Sequence, residues 1–444
     1  MRQPVFFFIQ LIPLLFWLHC ESFCQASDSV IIDWLKDNAH QLKSSQIESS
    51  DADLIFLKKV LKDKRIVSMG EATHGTKEFA ELKARIFKFL VLEMGFTVFA
   101  LEADFAAAFT VNEYIHGNGA DGEMALKNLR LFHCVNQETL KLVRWMREYN
   151  SKVKNNRKIE FYGFDLQFPR ITINEIAKIS AKEDSTFAKK LSQIKILTNN
   201  KDLCKYVRKE DIEMIEGELR EKSKFDTTFR DKSLNLCERL VQTLWQGYRL
   251  FASDNNLKED LSNNRDLYMK QNIDWILNVE GDDAKIMLWS HNGHASYSTV
   301  QVRSSGDTLY QMGLLLKKDY SKDLYTIGFD FNKGKFLANR PTSYHKVERA
   351  VFEVPEAPEG AFAWYLSKLN KDLLFINLTS PNVDDVTVSN WLKQRHKVRN
   401  AGGGMWDDCL YDMHCIFRAY PLSEAFDAFI FVNDAHAITP LPKK

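Results

Sequence analysis

A series of short apolar runs, each ending in an acid or a histidine and followed by helical periodicity, restricts the fold of this chain more than any other feature. Residues 65–70 (RIVSMG) lead into Glu71, 96–101 (FTVFAL) into Glu102 and Asp104, and 159–164 (IEFYGF) into Asp165. Residues 284–290 (AKIMLWS) lead into His291, 324–329 (LYTIGF) into Asp330, and further runs stand at 373–378 and 428–432. Runs of this length without polar alternation are strands buried on both faces, the pattern of a parallel sheet covered by helices. The segments between them supply those helices. From Glu78 to Met94, the residues Phe79, Leu82, Ile86, Phe89 and Leu90 recur at intervals of three and four. The expected fold is α/β: a mainly parallel central sheet flanked by helices.

From about Ile171 to Asn278 the strand pattern stops and charge-rich amphipathic segments replace it. Leu240, Val241, Leu244, Trp245, Tyr248 and Phe251 form one stripe, and Leu267, Met269, Ile273 and Ile276 form a second. This region reads as a helical insertion over the carboxyl-end rim of the sheet, residues 171–278, set into an α/β core of 27–170 and 279–444.

The charge count is balanced, with 60 Lys+Arg against 59 Asp+Glu and a formal net charge of +1. No global field draws such a chain to nucleic acid or to an anionic membrane. The balance suits an uncharged or weakly cationic small ligand, recognised locally. At the amino terminus, Arg2 precedes an apolar run from Val5 to Leu18, broken by Gln10 and Pro13, and a small-residue exit follows near Ala26. The run falls short of the roughly 20 residues that span a bilayer. Residues 1–26 therefore read as a secretory signal peptide, with no stable membrane span and an exported, periplasmic or extracellular mature chain. Cys134, Cys204, Cys237, Cys409 and Cys415 remain after its removal. Export permits disulfides, and Cys409 and Cys415 stand close enough in sequence to pair or to remain half-buried thiols.

In open parallel sheets, ligands bind outside the carboxyl ends of the strands. Glu71 and His74, Glu102 and Asp104, Asp165, and His291 and His294 all stand at such ends. Any one of these acids, taken singly, reads more readily as a helix cap or turn former; their convergence is what favours a site. The segment 70–79 (GEATHGTKEF) is the sharpest local signal, since a glycine-flanked loop lets backbone approach a ligand and its imidazole exchanges protons near neutral pH. Residues 289–294 (WSHNGH) repeat that arrangement. Glu71, His74, His291 and His294 also form a donor set that zinc or manganese accepts. His116, His133, His414 and His436 stand in no such motif and read as surface or capping residues. Gly402-Gly403-Gly404 lacks the strand-to-helix context of a phosphate loop and reads as a turn. No G-x-S-x-G, H-E-x-x-H or paired C-x-x-C occurs, which disfavours a serine hydrolase elbow and the usual zinc motifs.

The segments GEATHGTKEF, FALEADF (99–105), GFDLQ (163–167) and SHNGH (290–294) resemble the erythromycin esterase family. Arg265-Asp266-x-x-Met269, Gln311-Met312-Gly313, Gly328 and FDAFIFV (426–432) add to the resemblance, which extends from about Ile31 to Thr439. It implies hydrolysis of a macrolactone ester by a histidine-activated water, without metal or other cofactor, and a small-molecule partner. His74 matches the general base, Glu71 its neighbour on the loop, Glu102 the acid of the next strand, and His291 and His294 the later histidines. Asp104, Asp165, Gln167 and Asn292 then support these groups by hydrogen bonds, though Asp165 and Gln167 also fit a structural turn. Lys83 stands nine residues after the base, where hydrolytic members can carry Arg, and would contact substrate or oxyanion without the planar bidentate fork. Arg85, two positions on, faces a different part of the helix. The alternative reading is an exported metal- or haem-binding protein of related fold without esterase activity.

Overall fold

The structure is a computed structural model. It describes residues 28–119, 121–154, 157–181, 184–198, 205–225, 233–252, 261–301, 308–343, 346–379, 386–405, 407 and 413–442. The proposed signal peptide, Cys204 and Cys409 lie outside these residues.

A nine-stranded sheet organises the described residues. Its strands are β1 (Ala39–Gln41), β2 (Ile66–Met69), β3 (Val98–Asp104), β4 (Glu160–Asp165), β5 (Ile286–Trp289), β6 (Leu324–Ser343), β7 (Lys346–Val354), β8 (Leu373–Asn377) and β9 (Ala428–Ala435). The order is β1-β8-β9-β6-β2-β5-β3-β4, with β7 paired to β6 as a hairpin arm. All neighbours from β9 to β4 run parallel, while β8 and β1 add antiparallel strands at one edge. The mainly parallel, helix-flanked sheet expected from the apolar runs is the one observed.

Two-sided burial follows from the period of two along each strand. Val67, Met69, Phe99, Leu101, Met287 and Trp289 face one core, shared with Leu82, Ile86 and Phe89 of the helix Lys77–Met94. Ile66, Val98, Ala100, Ile286 and Leu288 face the other, against Leu240, Leu244, Met269 and Ile273 from the helices Ser233–Phe251 and Leu261–Glu280. Burying a large apolar side chain contributes roughly 1.5–3 kcal/mol, against about 0.2–1 kcal/mol for a cross-strand pair. Covering both faces thus decides the register more strongly than pairing preference does. Between β4 and β5 the described residues are mostly helical, with a short pairing of Leu197–Thr198 with Lys205–Tyr206 among them. No helix among the described residues is long and apolar enough to cross a membrane.

Three details differ from the sequence reading. Strand β3 continues through Glu102 to Asp104, so both acids belong to the strand, with a register shift after Leu101. Strand β6 passes Phe329 and continues to Ser343 because β7 covers its second half. Asp330 therefore lies mid-strand, fully buried, accepting from the Phe331 and Arg399 backbone amides. The pair Arg395–Arg399 and Phe417–Pro421 also forms an antiparallel ladder that no apolar run announced. Arg85 turns away from Lys83 as helical spacing requires, and its buried guanidinium bonds Asp53 and the Ser44 and Ser50 carbonyls. Cys134 is a buried free thiol, Cys237 is buried among the apolar residues of the second core, and Cys415 is disulfide-bonded.

The loop after β2 is held by backbone on both sides. The Gly75 carbonyl accepts from the Leu337 and Ile438 amides, each at 3.0 Å, and a Cβ on Gly75 would lie 1.8 Å from the Leu337 carbonyl oxygen. No rotamer change relieves a clash with backbone. Gly75→Ala is expected to lower stability by about 1–3 kcal/mol, read as a lower urea midpoint at unchanged m-value.

Candidate active site

At the carboxyl end of β2, the residues 70–76 cross the top of the sheet before the helix Lys77–Met94 begins. Gly70 has no side chain because Asn292 fills that space: a Cβ there would come within 2.2 Å of the Asn292 Oδ1. The Asn292 amide donates to the Phe329 carbonyl at 2.7 Å and accepts from the Phe329 amide at 3.1 Å. Its backbone amide also bonds the Glu71 carbonyl at 2.8 Å, so Asn292 ties the ends of β2 and β5 to the middle of β6, and the two sequence motifs meet.

Glu71 is buried and its two oxygens are fully engaged. Oε1 lies 2.5 Å from His74 Nδ1, while Oε2 accepts from Lys83 Nζ at 2.5 Å and from the Trp289 indole at 2.7 Å. Burial opposes the charge, but Lys83 and His74 outweigh it and hold Glu71 down at about 2. An ionised Glu71 accepts only, so His74 carries its proton on Nδ1. Its Nε2 bonds no protein group among the described residues. Lys83 is itself sealed from solvent, 4.3 Å from the Trp289 ring centroid, and burial pulls it down to about 8. Lys83 is absent from the cavity lining and sits behind Glu71.

A second charge cluster stands beside the first. Arg265, from the helix Leu261–Glu280, donates to Glu102 Oε1 at 3.0 Å and grips Asp165 through Nε at 3.2 Å and a terminal nitrogen at 2.7 Å. His294 Nδ1 lies 2.8 Å from Asp266, and its Nε2 lies 3.0 Å from Arg265. Only a neutral ring with its proton on Nδ1 satisfies both contacts, whereas Glu102 and Asp266 favour the charged form and raise the pKa. Glu102 accepts the His291 amide through its other oxygen at 2.9 Å, and despite burial its positive neighbours hold it well below the usual carboxylate range. Gln167 donates to Asp165. Asp104 lies deeper, outside the cavity lining, accepting from the Ala107 amide at 3.0 Å and the Phe168 amide at 2.7 Å; burial raises it to about 6.

His291 caps its own short helix, accepting from the Gly293 amide at Nδ1, and its Nε2 makes a long 3.4 Å contact with the Ala72 carbonyl. Its ring centroid is 5.0 Å from that of His74. On the other side His133 stacks on His74 at 4.4 Å and 17°. Burial, reinforced by the nearby His74, pushes His133 and His291 down to about 3.

These groups surround a cavity of about 570 Å³ lined by His74, Glu102, His133, Gln167, Arg265, His291 and His294, together with Phe132, Phe168, Arg130, Asn339 and the Gly402–Gly403 backbone. The structure thus brings His74, Glu102, Gln167, His291 and His294 to one surface, with Glu71 and Asp165 directly behind and Asn292 and Asp104 as braces. His133 is a cavity residue, contrary to the surface or capping role expected of it. The glycine run packs on the loop after β2, with the Ala401 amide bonded to the Ala72 carbonyl at 2.8 Å. Sequence reasoning gave Arg265 and Asp266 no role in the site. Their place in the ordered motif series was the available signal, whereas nothing local marks His133. Among the described residues, no three His, Cys, Asp or Glu side chains converge to hold a metal ion. Arg265 supplies the positive charge between Glu102 and Asp165.

The half-buried His133, its pKa depressed, binds its proton in the unfolded chain from about pH 6.5 but in the folded protein only near 3. Its contribution to stability is therefore lost as pH falls through that window. Replacing His133 by Phe keeps the ring and removes the titration. The stability of His133→Phe relative to wild type is expected to rise steadily from pH 7 to pH 4, measured by urea denaturation at each pH.

Comparison with known proteins gives the family of this arrangement. The erythromycin esterase family model matches residues 91–435, a stretch that begins after the His74 loop. An Escherichia coli protein named erythromycin esterase type II is 26% identical over 358 residues, covering 74% of this chain and 84% of that one. A putative hydrolase of Bacillus subtilis strain 168 is 25% identical over 376 residues, covering 78% and 80%. Among solved structures, a Bacillus cereus protein superposes with a TM-score of 0.76 at 22% identity, covering 94% of this chain and 99% of that one. An erythromycin esterase bearing a histidine-to-asparagine mutation, in its open conformation, superposes at 0.61 with 16% identity, covering 89% and 98%. These structural likenesses establish the shared fold, and the family match over most of the chain establishes descent: the protein belongs to the erythromycin esterase family.

Proposed function

We propose that the chain is a hydrolase of carboxylic esters, with a macrolactone as the substrate its relatives suggest. The observation that carries this reading is the Glu71–His74 pair, in which a buried carboxylate fixes the Nδ1 proton and leaves Nε2 free at the cavity wall. In this reading Nε2 takes a proton from water as the oxygen attacks the ester carbonyl. The imidazolium is stabilised by Glu71, which is itself kept ionised by Lys83. The tetrahedral oxyanion is met by Arg265 and by His291, whose long 3.4 Å backbone contact exchanges readily for a substrate oxygen. On collapse the C–O bond breaks, and the proton passes from His74 to the departing alkoxide. Lys83 is a positioning residue in this scheme, since it reaches Glu71 and not the cavity.

The metal- or haem-binding alternative has less support. The rim acids are already paired with Arg265, and the Nδ1 atoms of His74 and His294 already face carboxylates. Incubation of the purified mature protein with erythromycin, followed by mass spectrometry, is expected to show addition of one water, unaffected by a chelator. His74→Ala should lower kcat by roughly a hundredfold to ten-thousandfold. Full turnover by His74→Ala would remove it from the mechanism, and a tightly bound metal or haem without turnover on an ester panel would favour the alternative.

We also propose export through residues 1–26. Expression of the full chain in a bacterial host, followed by fractionation and amino-terminal sequencing, is expected to recover a chain beginning near residue 27 outside the cytoplasm. An intact amino terminus in the cytosol would contradict it.

A further inference from the structure

The groups deep in the cavity are charge-compensated: Glu71 by Lys83, and Glu102 and Asp165 by Arg265. The mouth is different. Arg130 lines the cavity, is exposed, and makes no side-chain hydrogen bond or ion pair among the described residues. Its guanidinium lies 5.8 Å from the centroid of Phe168, another lining residue. Its backbone has φ of 57°, a left-handed conformation that costs an arginine free energy and is rare outside glycine and asparagine. A second arginine flanks the same opening. Arg349 is the cross-strand partner of Asn339, which lines the cavity, and its guanidinium lies 5.8 Å from the centroid of Phe132, also a lining residue. Arg349 likewise makes no ion pair or side-chain hydrogen bond among the described residues.

We propose that Arg130 and Arg349 form an anion-recognising rim, so that the preferred substrate is an ester bearing a carboxylate or comparable anion a few bonds from the scissile carbonyl. Each guanidinium rests on an aromatic ring, which limits its wandering while leaving its N–H fork unspent. A substrate anion at the mouth would take up that fork while the ester reaches His74. This reading rests on the ester-hydrolase function and sharpens it: the balanced total charge suited an uncharged or weakly cationic ligand, whereas the described residues at the entrance place two unpaired arginines there.

The test compares two probes that differ by one carboxylate, 4-nitrophenyl butyrate and mono-4-nitrophenyl glutarate, with the full mature protein. Wild type is expected to prefer the glutarate half-ester in kcat/KM by about tenfold to a hundredfold, the range of a charge-assisted contact. That preference should shrink as ionic strength rises. Arg130→Asn, which tolerates the left-handed backbone, and Arg349→Gln should each reduce the ratio, and together bring it near one. Equal kcat/KM for the two probes in wild type, or a preference that survives the double variant, would overturn the proposal. Calorimetric titration with the corresponding anilides, glutaranilic acid and butyranilide, separates this from failure of the hydrolase reading. Arginine-dependent, salt-sensitive binding of the acid over the neutral amide supports the rim even without turnover. Equal binding of the two refutes it even if esters are cleaved.

Discussion

The buried Glu71 carboxylate is the interaction on which the rest of the site depends. An isolated carboxylate at that depth would be neutral or would unfold its surroundings. It stays ionised because Lys83, the Trp289 indole and His74 each meet one of its oxygens. Those three partners come from the helix after β2, from the end of β5 and from the connecting loop, so one charge draws three segments together. The loop cannot shift without leaving that charge unpaired, and this gives His74 a fixed tautomer and direction.

The second cluster ties the helix Leu261–Glu280 to the sheet by the same physics with the signs exchanged. Arg265 is a cation brought from that helix to carboxylates on β3 and β4. Removing one partner from such a buried group typically costs about 3–5 kcal/mol, because the charge left behind has nothing to face. The helix therefore does more than cover one face of the sheet. It delivers Arg265 and Asp266, which set the orientation of His294 and neutralise the acids of the rim. The cavity that results is polar and internally balanced, and the described residues place Arg130 and Arg349 beside its opening.

Much of this was legible in the sequence because parallel α/β sheets place strand ends at one rim, and residues following apolar runs must then converge. Glu71, His74, Glu102, His291 and His294 were found that way. Lys83 was legible as a residue near His74 but not as the buried partner of Glu71, since helical spacing gives a face and not a depth. His133 was missed for a different reason. Its neighbour Cys134 and the lack of a motif gave no hint, and only the path of the segment after residue 129 carries its ring onto His74. Arg130 was invisible too, because a left-handed backbone at an arginine has no compositional signature.

Pattern and residue chemistry in the sequence alone determined the parallel sheet with helices on both faces, the helical stretch between β4 and β5, and the group of acids and histidines at the strand ends. These follow from the period of apolar residues and from the topology it permits. Tertiary structure decided which charges are paired and which remain available. Lys83 is spent on the buried Glu71, Arg265 is paired with Glu102 and Asp165 at the cavity wall, His133 becomes part of that wall, and among the described residues Arg130 and Arg349 make no ion pair. Pairing depends on distances of a few ångströms between segments far apart in the chain, and burial sets the free-energy cost of each charge. Neither quantity exists until the chain has folded.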